Sequence, residues 1–182
     1  TETLPDQHEV LMEASKRQPR NMVARFIIED LDKAINLLQC NFKSKNRITK
    51  NAALLLKSRV ALYEASFLKY HRGTPRVPGE AGWPGAKMDY NANFSINLDS
   101  EIDYFLTQSM SASKEVADQI SLTPNSGVLN PIGTEFAGWN PYFEMFAAVD
   151  MSKYDEVILW KSYNADYTTH GVSVYIRNGG NY

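Results

Sequence analysis

Few residues in this chain are spaced for catalysis. The three histidines, His8, His71 and His170, lack the spacing of metal ligands, and no HExxH, GxSxG, GxGxxG, GxxxxGK[ST] or EF-hand pattern occurs. No serine or threonine sits in a nucleophile elbow, and Cys40 has no companion residues marking a catalytic dyad. Carboxylate neighbours such as Glu29 with Asp30, or Asp99 with Glu101, have the chemistry of an acid and base pair for glycoside cleavage. Solvated helix surfaces carry such pairs far more often. The aromatics are the stronger signal. Trp83 and Trp139 both lie in glycine- and proline-rich stretches, with Tyr90 and Asn140 close by in sequence. Flat rings on rigid loops suit the C–H faces of sugars, and adjacent polar groups supply directed hydrogen bonds. The competing reading is that each tryptophan pins its loop to the body of the protein. Trp160 falls in a β-rich run and is expected to pack in a core.

The elements that must hold these rings are helices. Val23, Phe26, Ile27, Leu31, Ala34, Ile35 and Leu38 recur at three- and four-residue spacing and predict a helix over Arg20–Cys40, preceded by a short one around His8–Lys16. After a short polar link, Arg47–His71 predicts a second long helix, capped by Thr49. Its expected buried face is Ala52, Ala53, Leu56, Val60, Tyr63 and Phe67. So short a connection predicts antiparallel neighbours. From Arg72 to Asn97 the periodicity vanishes under seven glycines and prolines, and an insertion of this length in a compact domain is usually functional or disordered. Asp99 or Ser100 is then expected to cap a third helix whose apolar face is Ile102, Phe105, Leu106, Val116, Ala117 and Ile120. Asn125–Trp139 reads as a second irregular stretch, and Asn140-Pro141 as the cap and first residue of a last helix. Val157–Trp160 and Val172–Ile176 predict short β-strands.

Composition agrees with a globular protein. The chain has 182 residues, 43% of them hydrophobic and 22% charged, enough for one domain with a core. A formal net charge of −2 argues against nucleic acid as a partner. One cysteine excludes an internal disulfide and any cysteine-cluster metal site, and Cys40 reads as a small buried apolar residue. No cofactor is implied. No apolar run is long enough to span a membrane, and the opening residues lack the pattern of a signal peptide.

The two-helix segment resembles a known family. Glu29–Ile35, Arg47–Ala53 and Arg59–Tyr63 look like the paired helices of the SusD/RagB outer-membrane nutrient-binding lipoproteins of Bacteroidetes, in which an EDLDKAI-type helix precedes an R-[IV]-[ST]-K-x-A-A helix. Tyr142–Ala148 and Asp155–Trp160 are similar to later family elements, and Gly179–Tyr182 to a glycine-rich turn. The resemblance implies a mainly α fold of tetratricopeptide-like hairpins with long irregular loops and a few short strands near the C-terminus. It also implies a single such domain over residues 1–182 within a longer lipoprotein at the cell surface. The implied role is binding of glycans or other nutrients without catalysis, for delivery to a SusC-like TonB-dependent transporter. Ligand residues vary within the family, so Trp83, Trp139, Tyr90 and Asn140 stand as candidates on loop placement alone. Two other roles fit a helical chain: a repeat scaffold that binds protein, and a helical carbohydrate-active enzyme.

Overall fold

The computed structural model describes residues 6–39, 45–129 and 139–160. Within them the protein is mainly helical: α1 (His8–Ala14), α2 (Arg20–Leu37), α3 (Lys50–Tyr70), α4 (Leu98–Ala117) and α5 (Pro141–Ala147). The described residues fall into two compact units. One is drawn from Thr1–Leu37 and Ala53–Val116, the other from Leu38–Ala52 and Ala117–Tyr182.

The first unit is built on α2, α3, α4 and the insertion. Its core is Ala24 and Ile28 of α2, Ala61, Ala65 and Leu68 of α3, Val77 of the insertion, and Ile102 and Phe105 of α4. Arg20 near the start of α2 meets Glu64 late in α3, whereas Asp32 late in α2 meets Lys57 early in α3. That crossed order makes the two helices antiparallel, as their short connection predicts. Ser58 and Ser109 share a hydrogen bond of 3.1 Å, and Arg72 just beyond α3 pairs with Asp99 in the first turn of α4. The same logic sets α4 antiparallel to α3.

α4 buries Ile102, Phe105 and Val116 as expected, but α2 and α3 bury a stripe mostly one residue away from the expected one, Ala53 alone being shared. In α2 the buried positions are Asn21, Ala24 and Ile28, while Val23, Phe26 and Ile27 are exposed. In α3 they include Ala53, Leu54, Ala61, Glu64, Ala65 and Leu68, while Leu56 and Tyr63 remain 50% and 64% exposed. A shift of one residue turns a helix face by about 100°. The physical reason is that alanines on both helices bring the backbones close, and large side chains on the seam would hold them apart.

Polar groups cross the seam as well. Glu101 of α4 accepts from Asn21 Nδ2 at 2.9 Å and takes a two-pronged contact from Arg25, Nε to Oε1 at 2.9 Å and a terminal nitrogen to Oε2 at 2.7 Å. Burial alone would raise the pKa of this carboxyl, but the Arg25 and Asn21 hydrogen bonds outweigh it and hold the carboxyl below its ordinary value. The Arg25 guanidinium also lies 3.7 Å from the centre of the Tyr104 ring, so the ion pair has an aromatic floor.

Helix ends follow local chemistry. The Thr49 hydroxyl accepts from Ala52 N at 3.3 Å, and the Asn140 side chain accepts from Tyr142 N ahead of Pro141, both as expected. At α4 the cap is not Asp99 or Ser100. Asn97 Oδ1 accepts from Ser100 N at 3.1 Å, because the helix starts at Leu98 and Asn97 is the residue before it. That helix ends at Ala117, so Ile120 lies beyond its apolar face.

The insertion is more regular than its composition predicts. The amides of Thr74, Val77, Glu80, Trp83 and Ala86 each donate to the carbonyl three residues earlier, so the chain advances as a succession of tight turns. Val77 and Pro78 are buried beneath it, anchoring the run to the core. Gly82, at φ +79°, supplies a conformation that other residues adopt only with strain.

In the second unit α5 and its flanking segments are held by side-chain bonds. Thr123 N donates to Glu156 Oε1 at 3.1 Å, and Ser126 Oγ donates to Trp139 O at 2.9 Å. No strand forms among the described residues. Val157–Trp160 is not in a strand: Val157 N donates to Tyr154 O at 3.1 Å and Trp160 N to Lys45 O at 2.8 Å, and no ladder pairs the segment among the described residues. The other expected strand, Val172–Ile176, lies outside the described residues, as do Cys40 and His170.

Phe105 sits at the centre of the first unit with no exposed surface. Phe105→Ala is expected to lower the unfolding free energy by about 3–5 kcal/mol, measured by urea titration.

Candidate functional site

A cavity of about 1080 Å³ opens within the first unit, and the two displaced helix stripes form its walls. Val23, Ala24 and Ile27 of α2 face it, together with Leu56, Val60 and Tyr63 of α3. The insertion closes the third side with Pro75, Trp83, Pro84, Gly85, Met88 and Tyr90. Its volume is at the upper end of what small-molecule sites enclose. The apolar side chains that the helical periodicity marks for a core thus line a hollow beside it.

Trp83 is set by its neighbours rather than by a helix. Its ring lies 5.4 Å from that of Phe94 at an interplanar angle of 51°, and it folds back over Gly85. A Cβ at Gly85 would overlap the six-membered ring of Trp83, whose Cζ2, Cε2 and Cη2 are the nearest atoms. Glycine is required here by close approach, not by its own backbone angle. Tyr90 follows in the same stretch, 41% exposed, with Lys16 Nζ 5.4 Å from its ring centre.

Charge is concentrated on the cavity. Arg17, Arg20, Arg59 and Arg76 line it against a single carboxylate, Glu64. Glu64 is 2% exposed, and its Oε2 is 2.7 Å from Arg20 Nε. The pair is off the hydrogen-bond line, and Glu64 Oε1 has no hydrogen-bond partner among the described residues. Burial raises the pKa of this carboxyl, and the attraction of Arg20 offsets the effect only in part. Arg20 itself lies over the Phe67 ring, 3.9 Å from its centre.

The four aromatic and amide candidates separate into two pairs. Trp83 and Tyr90 are brought together on the cavity wall. Trp139 and Asn140 belong to the second unit and do not line the cavity. The Trp139 face is stacked on Phe143 at 5.3 Å and 20°. Asn140 is 0% exposed, and its amide donates to Asn125 Oδ1 at 3.1 Å and Val128 O at 2.9 Å while its oxygen caps α5. Its polar atoms are engaged within the protein. The arginines were missed by sequence reasoning, because residues 17, 20, 59 and 76 share no spacing motif; only the packing of α2, α3 and the insertion gathers them.

Among the described residues no group of three or more His, Cys, Asp or Glu side chains is placed to hold a metal ion, and no helix is long and apolar enough to cross a membrane. Compared with protein-family models, with curated proteins and with solved structures, the chain matches none.

Two outcomes follow from this geometry. Gly85→Ala must displace the Trp83 indole from its place beside Phe94, so the tryptophan emission is expected to shift; in a Trp83→Phe background the same substitution should leave the emission unaltered. For Glu64, the folded chain holds the proton to higher pH than the unfolded one, whose carboxyl titrates near about 4.3. Between those two values the folded state binds more protons, so stability falls as pH rises. Glu64→Gln is expected to lack that component, so its stability relative to the wild type should increase as the pH is raised from about 4, in denaturation curves compared across pH.

Proposed function

We propose that this chain belongs to a SusD-like, non-catalytic binding protein that captures an oligosaccharide or similar nutrient for a TonB-dependent transporter at the bacterial cell surface. The observation that carries the reading is the cavity in the first unit, where Trp83 and Tyr90 share a largely apolar wall with arginines. A flat aromatic face suits the C–H surface of a pyranose, and guanidinium groups donate to its oxygens. Carbohydrate sites combine those two elements because a sugar ring has apolar faces and a polar rim.

The architecture supports the same reading. Antiparallel α2 and α3, meeting through alanines, make the kind of hairpin from which tetratricopeptide-like solenoids are stacked, and we take this pair as one such unit. The helix sequences with the family likeness, Glu29–Ile35 and Arg47–Ala53, belong to these two helices and the approach to α3. Of the candidate ligand residues, Trp83 and Tyr90 are retained; Trp139 and Asn140 are given a structural part.

A glycan array followed by calorimetry on the chain tests the proposal. Saturable oligosaccharide binding without product formation is expected, and Trp83→Ala should weaken it by about tenfold with little change in thermal midpoint. Release of shorter sugars would instead identify an enzyme. A lowered melting temperature with binding intact would make Trp83 an anchor of the insertion.

A further inference from the structure

We infer that the cavity selects an anionic sugar, a uronate-containing or sulfated oligosaccharide, over a neutral one; the inference rests on the glycan reading above and narrows it. Four arginines and one glutamate line the cavity of a chain whose formal net charge is −2. Glu64 is already committed to Arg20. The remaining cations, Arg17, Arg59 and Arg76, are exposed, and their guanidinium groups have no ion-pair or hydrogen-bond partner among the described residues.

Three exposed guanidinium groups around one hollow, hydrated while it is empty, give an anionic occupant charged partners that no side chain of the protein already uses. Guanidinium matches carboxylate and sulfate oxygens with paired hydrogen bonds, which are stronger than those to neutral hydroxyls. The apolar walls lower the local dielectric and focus the field of the arginines into the cavity. Trp83 would then take the ring face while the arginines take the acidic substituent. A neutral sugar would use the first feature and offer the arginines only uncharged hydroxyls, which hold them more weakly.

Carboxylate and sulfate share this chemistry, so the test carries both. Titration calorimetry compares a galacturonic acid tetrasaccharide, a chondroitin sulfate tetrasaccharide, neutral maltotetraose and inorganic sulfate alone. At least one acidic tetrasaccharide is expected to bind about tenfold or more tighter than maltotetraose and than free sulfate, with affinity falling as salt is raised. Arg59→Gln combined with Arg76→Gln should remove about tenfold or more of that affinity and weaken maltotetraose by a smaller factor, so that the preference for the acidic probe narrows. Both positions are exposed, so the variant is expected to keep its thermal midpoint.

Equal binding of neutral and acidic probes, unaffected by the arginine substitutions, would overturn the anionic inference while the glycan reading stands. Acidic binding that survives both the arginine double variant and Trp83→Ala would place the ligand elsewhere and overturn the inference too. Sulfate binding as tightly as the acidic sugars would reduce the site to an anion site. Silence toward every oligosaccharide, on the array and in calorimetry, would remove both readings.

Discussion

Close approach of helices through alanine is the constraint on which the first unit depends. Ala24 of α2 and Ala61 and Ala65 of α3 occupy positions where a larger side chain would push the backbones apart. Because they do not, Ile28, Leu68 and Phe105 fill a narrow core, and the neighbouring stripes of large apolar residues are turned aside by one residue on each helix. The cavity follows from that rotation. It is walled by Val23, Ile27, Leu56, Val60 and Tyr63 because the seam has no room for them.

The buried charges reinforce the same arrangement. Removing a carboxylate from water is expensive unless its lone pairs are met, and Glu101 is met by Arg25 and Asn21 together. Glu64 is met less completely, by Arg20 alone, which is why its carboxyl is displaced upward while that of Glu101 is displaced downward. Both arginines come from α2, less than two turns apart. They tie α2 to α3 and to α4 at one end of the helix. The insertion, its turns anchored by Val77, then brings Trp83 and Tyr90 to the wall that α2 and α3 leave open.

The candidate site was legible in part. Trp83 and Tyr90 were visible from an aromatic in a glycine- and proline-rich stretch, and the packing of Trp83 over Gly85 explains the glycine that helped to draw attention to it. Trp139 carried the same signal and met a different end, stacked on Phe143 one helical turn away. Asn140 was legible as a helix cap, and that role consumes the polar atoms that would otherwise meet a ligand. Arg17, Arg59 and Arg76 had no signature at all, since they are scattered over three segments of the chain.

Helix positions, the Thr49 and Asn140 caps and the antiparallel pairing of α2 with α3 were set by the sequence alone, because periodicity, capping side chains and a short connection act over a few residues. The tertiary structure alone decided which stripe of α2 and of α3 was buried, whereas Ile102, Phe105 and Val116 of α4 are buried where the periodicity places them. A 3.6-residue repeat marks an apolar sector wide enough to hold two adjacent stripes, and only the size of the facing side chains chooses between them. The same choice turned an expected core face into the lining of a cavity. It also gathered charges distant in sequence around Trp83, which no local pattern encodes.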